Sequence, residues 1–145
     1  MLQLSHATAR DKPFWLTLDD HLPQHEYLRQ VQAKQSYIIR ANDVPVGILK
    51  YNLFWDHIPF LNLIVLEKSA QRNGFGRQAM LLWENEMRAR GHPMVMTSTR
   101  ADEQAQHFYR KLGYMERGSL CLDNTPFAQP LEIFLLKVLS LHNQE

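Results

Sequence analysis

The sequence predicts an α/β fold built on a mixed β-sheet. Short apolar runs rich in β-branched and aromatic residues recur along the chain. In its middle they alternate with two stretches whose apolar residues fall at spacings of three and four, as in helices packed on a sheet. Elsewhere strand-like runs follow one another directly, as in hairpins. Alternation with helices gives parallel neighbours and hairpins give antiparallel ones, so the sheet is mixed.

Residues 3–8 form a short first strand. Residues 11–34 read as two short helices with a bend at Leu22-Pro23, because proline disfavours helix in the residue before it. Residues 36–41 and 46–54 are two strands, with the turn residues Asn42 and Asp43 between them. Residues 60–66, "FLNLIVL", are too short for a helix and lie between Pro59 and Glu67-Lys68, so they read as a buried central strand. In the helix at 75–87, Phe75, Ala79, Leu82, Trp83 and Met87 share one face. Glu84 with Arg88, and Glu86 with Arg90, form i,i+4 pairs on the other. Gly91 and Pro93 stop it. Residues 94–99 are the next strand. Residues 102–112 form a second helix, with Asp102 as N-cap and Gly113 as the stop. Residues 114–122 and 131–139 are the closing strands.

The chain has 145 residues, which predicts a single domain over 1–145 that buries roughly two-thirds of its unfolded surface. Sixteen basic and fifteen acidic residues leave a formal charge of +1, unlike a protein built to grip nucleic acid. The lone cysteine, Cys121, permits no disulfide within the chain, which suits a reducing cytoplasm, and its apolar strand reads as core. No metal-ligand spacing appears. The start, "MLQLSHATARDK", has no basic region followed by an apolar one, so no signal peptide is expected. No uncharged apolar run approaches the ~20 residues of a membrane span.

Two of the six glycines, Gly74 and Gly76, stand where strand 60–66 gives way to helix 75–87. The first N–H groups of a helix have no intrahelical partner, and the helix dipole places positive charge there. Glycine removes the Cβ that would hold a ligand away. Arg72 and Arg77 add charged donors. The layout suits a pyrophosphate. The same residues also serve as a plain turn flanked by two solvated arginines. "GFGRQA" further matches the dinucleotide fingerprint, with Asp102 downstream as the ribose acid. Against that match, the seven residues Glu67 to Asn73 separate the strand from Gly74, where the fingerprint's glycines follow the strand almost directly. Only one more strand–helix unit follows before the closing hairpin.

"QRNGFG" at 71–76 fits Q/R-x-x-G-x-G/A, the acyl-CoA signature of the GNAT superfamily of N-acetyltransferases. "LIVLEKSAQRNGFGRQAMLLW" resembles that family's strand, pyrophosphate loop and helix. "DEQAQHFYRKLGY" resembles its second signature, N-x-x-A-x-x-F-Y-x-K-x-G-F, about 30 residues later and in the right order. The order of elements resembles the family along nearly the whole chain, least well in the N-terminal helices and the last hairpin. The resemblance implies a GNAT-like acyl-CoA N-acyltransferase fold, a central mixed sheet flanked by helices, with acetyl-CoA as co-substrate. Lys68 stands where the family often has proline. Asp102 stands where it often has asparagine, which puts one side-chain contact to the coenzyme in question.

Carried onto this chain, the resemblance implies that backbone groups of Gln71, Arg72, Asn73, Gly74, Phe75, Gly76 and Arg77 cradle the pyrophosphate. Leu66 would pair with the pantetheine arm. The Ile64 N–H would face the thioester oxygen, where negative charge develops as a neutral amine attacks. Tyr109 would be the general acid for the leaving thiolate, or pack its ring on the sheet. Phe108 reads as core beside the coenzyme, and His107 as surface. The family's usual glutamate base falls at Asn62, which takes up no proton at neutral pH and would hold a water or orient the acceptor. Asp56 and His57, in the preceding loop, are candidates for a water-relayed base or plain exposed residues.

The acceptor pocket would be lined by the N-terminal helices, the Trp55-Asp56-His57 loop and the last hairpin. These offer Phe14, Trp15, Trp55, Phe60 and Phe127 with Asp19, Asp20 and Asp56. Such a lining suits a small cationic amine or a peptide N-terminus. An antibiotic, a polyamine, an amino acid and a protein lysine stay open, as does a homodimer. The alternative to an enzyme is a non-catalytic acyl-CoA-binding or sensing module, which Asn62 in place of a carboxylate keeps open.

Overall fold

The computed structural model describes residues 1–139. Strand β1 (Leu2–His6) leads into α1 (Lys12–Leu18) and α2 (Gln24–Gln32), and the break between them falls at Pro23, as the sequence predicts. Strands β2 (Ser36–Ala41), β3 (Val44–Phe54) and β4 (Ile58–Leu66) precede α3 (Phe75–Ala89). Then come β5 (Met94–Arg100), α4 (Ala105–Lys111), β6 (Met115–Leu120) and β7 (Glu132–Val138). The seven strands form one mixed sheet in the order β1-β2-β3-β4-β5-β7-β6, flanked by the four helices.

Local chemistry sets the register. Asn42 and Asp43 both take positive φ, 51° and 67°, which matches the right-handed twist of the flanking strands β2 and β3. At Gly47 of β3, an added Cβ would stand 2.6 Å from the Val65 oxygen and 2.7 Å from Leu66 Cδ2, so only glycine lets the two strands approach this closely. The parallel pairing of β4 with β5 joins Phe60 to Met96 and Leu61 to Thr97. Antiparallel pairs then join β5 to β7 and β7 to β6, with a bulge in β6 between Glu116 and Gly118.

The chain divides into two compact units: Met1–Asn52 with Asn62–Glu86, and Leu53–Leu61 with the chain from Met87 onward. In the first, Trp15 and Tyr27 pack with Ala7, Leu22, Ile38 and Ile48, the two rings 5.9 Å apart. The Tyr27 hydroxyl donates to the Thr8 carbonyl at 2.7 Å, so the one polar atom this ring carries inward is satisfied. Another aromatic row runs Tyr37–Tyr51–Trp83, with centroids 6.2 Å and 5.7 Å apart. In the second unit, Val95, Ile133 and Leu135 are buried, and Tyr109 packs edge-on against Phe108 and Tyr114.

Four sequence expectations are corrected. Asp102 is not a helix cap: α4 begins at Ala105 with Gln104 as its N-cap, and the Asp102 carboxylate instead pairs with Arg100. On α3 the buried line is Ala79, Met80, Trp83, Glu84 and Met87, so Glu84 is inside and Leu82 is exposed. Helical spacing gives a face but not its centre, and here the centre lies one residue round. Trp15 does not line a pocket; it is fully buried core. Cys121 is exposed, because it follows β6, a sheet-edge strand whose six residues all face solvent.

Candidate active site

The site is built first from the end of β4. After Leu66 the chain makes one tight turn, Lys68–Ala70, and reverses through Arg72 and Gly74, whose φ values of 67° and 85° are left-handed. Glycine takes this conformation freely, whereas for Arg72 it costs about 1–2 kcal/mol. The Gly74 carbonyl accepts the first helical bond of α3, from the Gln78 N–H at 3.1 Å. The Phe75 N–H leans on Asn73 Oδ1 at 3.4 Å. Gly76 and Arg77 then lie in the first turn of a fifteen-residue helix, where backbone N–H groups have no intrahelical partner. No acid occurs between Lys68 and Gln78, while Lys68, Arg72 and Arg77 are all basic. The loop thus combines left-handed kinks, a helix start and positive charge, a donor set that fits a diphosphate. The Gln71 side chain donates to the Leu66 carbonyl at 3.1 Å, which ties the loop to the end of the strand.

Asn62 is exposed on β4 and donates through Nδ2 to Asn52 Oδ1 of β3 at 2.7 Å. It also lines a cavity of 570 Å³ in the first unit. Ile64 and Leu66 are half-buried further along the same strand. Nearby, the Asp19 carboxylate takes the Lys50 ammonium at 3.0 Å and the Trp15 indole N–H at 3.1 Å, all on Oδ2.

Phe14, packed against the first unit's core, and exposed Asp20 also belong to that unit; the other sequence candidates lie in the second. Tyr109 on α4 is buried, and burial raises the pKa of its hydroxyl above the ordinary tyrosine value. A hydrogen bond with Thr97 works in the opposite direction, and the charge of Glu103 adds to the rise. The Thr97 hydroxyl in turn donates to the Leu61 carbonyl at 3.1 Å. Tyr109 is therefore held protonated at neutral pH. Phe108 is half-buried against its ring at 5.3 Å, and His107 is exposed as expected. His57 is exposed, in a turn where Trp55 and Asp56 take φ of 56° and 63° and the His57 N–H bonds the Phe54 carbonyl at 3.1 Å. Trp55 and Phe127 are exposed, while Phe60 packs edge-on with Phe134 at 6.1 Å.

Asn62, Ile64, Leu66 and the loop from Gln71 to Arg77 thus share the first unit, and His57, Asp102, Phe108 and Tyr109 the second. Sequence reasoning missed Gln30, Lys50, Asn52 and Thr97. Each belongs to no local motif and gains its place only from pairing between distant segments. Among the described residues, no three His, Cys, Asp or Glu side chains gather to hold a metal ion. No described helix is long and apolar enough to cross a membrane.

Comparison with known proteins bears on this arrangement. No curated protein sequence matches the chain. Among solved structures, Ard1 from Thermoplasma volcanium superposes with a TM-score of 0.82 at 14% identity, covering 96% of this chain and 98% of that one. The ribosomal-protein-S18-alanine N-acetyltransferase from Escherichia coli gives 0.77 at 18% identity, with 97% and 96% covered. A Salmonella typhimurium acetyl transferase that modifies the N-terminal serine of 50S ribosomal subunit protein L7/L12 gives 0.76 at 16%, with 96% and 95% covered. At these identities the likeness is one of fold. The family profile described as "Acetyltransferase (GNAT) family" matches residues 2–114, most of the chain and both of its signature segments as far as Tyr114. With strand, kinked loop and helix in the order that family requires, this protein belongs to the GNAT family of acetyltransferases.

Proposed function

We propose that the protein is an acetyl-CoA-dependent N-acetyltransferase that moves an acetyl group directly to a primary amine, in the cytoplasm. The observation that carries this is the loop from Gln71 to Arg77, doubly kinked at Arg72 and Gly74, free of acids, and opening straight into α3. Its backbone donors would hold the diphosphate of the coenzyme, with Leu66 beside the pantetheine arm. The coenzyme supplies the acetyl group as a thioester. The Ile64 N–H would stabilise the oxyanion. Tyr109 would give its proton to the departing sulfur; its burial keeps that proton in place until needed. Asn62 would orient the incoming amine or a water, and His57 would relay its proton. Asp102 and Phe108 would flank the coenzyme, with the Asp102 carboxylate committed to Arg100. Two of the similar structures are named as ribosomal-protein acetyltransferases, which brings a protein or peptide amine forward as an acceptor class beside a small-molecule amine.

The test is a thermal melt with acetyl-CoA, free CoA and NAD, since a ligand that binds only the folded chain raises its melting temperature. The reading expects both CoA species to raise it and NAD to leave it unchanged; the reverse pattern ends it. A second reading, a non-catalytic acyl-CoA sensor, is favoured by one observation: the family's base position holds a neutral amide already bonded to Asn52. Thiol release over an amine panel separates the two, because a sensor melts higher with CoA yet turns nothing over.

A further inference from the structure

The cavity beside Asn62 has a lining with its own chemistry. Its volume, 570 Å³, lies within the range of ligand sites, roughly 300–1,000 Å³. It is walled by Asp19 after α1, Arg29 and Gln30 of α2, Lys50 and Asn52 of β3, and Asn62 of β4, all within the first unit. Asn62 stands two residues before Ile64, so one wall is the strand that would carry the thioester.

The charges in this wall are already matched. Lys50 neutralises Asp19 at 3.0 Å. Arg29 is held by Glu26, at 2.8 Å through Nε and 2.5 Å through Nη2. One lining carboxylate thus faces two lining cations. A polycation such as a polyamine or an aminoglycoside needs several unmatched carboxylates to replace its hydration, and this wall offers none.

What the wall does offer is amides. The Asn62–Asn52 bond leaves Asn62 Oδ1 as an acceptor and Asn52 Nδ2 with a donor to spare. Gln30 carries a buried Oε1 with no hydrogen-bond partner among the described residues. Turning that amide toward the cavity forfeits no bond, and the terminal torsion of glutamine is broad. Turned into the cavity, that oxygen exchanges water for a ligand N–H, an ordinary hydrogen bond worth about tenfold in affinity. Acceptors and donors side by side on one wall match a polypeptide, whose backbone presents C=O and N–H in alternation.

We propose that this cavity receives the leading residues of a peptide or protein acceptor and reads their backbone amides. The proposal rests on the transferase reading above and names its acceptor class. The experiment compares acetylation of tetrapeptides with free N-termini, varied at the first residue, with that of the same peptides N-methylated on their backbone and of spermidine. The best tetrapeptide is expected to exceed both comparators in kcat/KM. Gln30→Met keeps the side-chain length and removes the acceptor; it should raise the peptide KM about tenfold at unchanged kcat, and leave the melting shift with CoA intact. Spermidine turned over as well as the best peptide, or a peptide KM untouched by Gln30→Met, overturns the proposal. Should acetyl-CoA fail to raise the melting temperature, the transferase reading falls by itself. The cavity is then judged by calorimetric titration of the same tetrapeptides: binding weakened about tenfold in Gln30→Met supports it, and equal or absent binding overturns it.

Discussion

Asn62 of β4 donates an amide hydrogen to Oδ1 of Asn52 on β3, across 2.7 Å. The pair fixes the direction of the side chain that the proposed mechanism uses to orient the amine. A neutral orienting group and a titrating base leave different marks. Asn62→Ala should lower kcat/KM about tenfold, the worth of one ordinary hydrogen bond, with no change in the shape of the pH–rate profile. An acidic limb that moves in this variant would show that Asn62 sets the pKa of a neighbouring base rather than merely orienting the amine.

Tyr109→Phe removes one oxygen and keeps the ring against Phe108 and Tyr114. The melting temperature should hold within a few degrees, while kcat falls by roughly 10²–10⁴, the range for loss of a general acid. Burial raises the Tyr109 pKa above the ordinary tyrosine value of 10.0. The acid works while protonated, so wild-type activity should persist past pH 10 and fall only as pH climbs through the raised value. Thiol release unaffected by Tyr109→Phe removes the assignment.

Tyr27 gives a stability prediction. Burial pushes its hydroxyl up to about 12, from the ordinary tyrosine value of 10.0, with the charge of Asp11 adding to the rise. The folded chain therefore favours the protonated form. The stabilisation is complete below pH 10, where both states hold the proton, and is lost as pH rises from there toward about 12. Thermal melts across that window should fall more steeply for wild type than for Tyr27→Phe. The variant starts lower, by about 1–3 kcal/mol, because the Thr8 carbonyl loses its donor. Parallel alkaline slopes in the two proteins would contradict this.

Gly47→Ala tests the approach of β3 to β4. Its Cβ would meet the Val65 carbonyl oxygen at 2.6 Å, so backbone must shift to admit it. Overpacking of this kind costs about 1–3 kcal/mol. Because the displaced atoms belong to Val65 and Leu66, the variant should also bind CoA more weakly in calorimetric titration. Wild-type stability together with wild-type affinity would show that the strands yield freely.

The loop between β4 and α3 was legible because its signal is local. Paired glycines, adjacent arginines and an amphipathic run are contiguous in the chain, and the structure builds the strand, kinks and helix start in that order. The hairpin at Asn42-Asp43 was legible for the same reason. Other features depend on distant partners. A near neighbour can also defeat a local sign: Arg100, two residues earlier, claims the Asp102 carboxylate that would have capped the helix. Glu84 looked solvated by spacing, and only the seating of α3 shows it buried. The exposure of the strand at 115–120 follows from β7 lying between it and β5, which no local pattern encodes. The amide-lined cavity draws Gln30, Lys50 and Asn52 from segments that share no motif.

The one thiol of the chain, Cys121, lies at the surface just past an edge strand. A maleimide dye would therefore attach at a single known position without any engineered cysteine. The same accessibility sets a practical correction: a disulfide reagent used to follow released coenzyme will also consume one equivalent per enzyme chain. Progress curves should begin from that offset, and Cys121→Ser should abolish it.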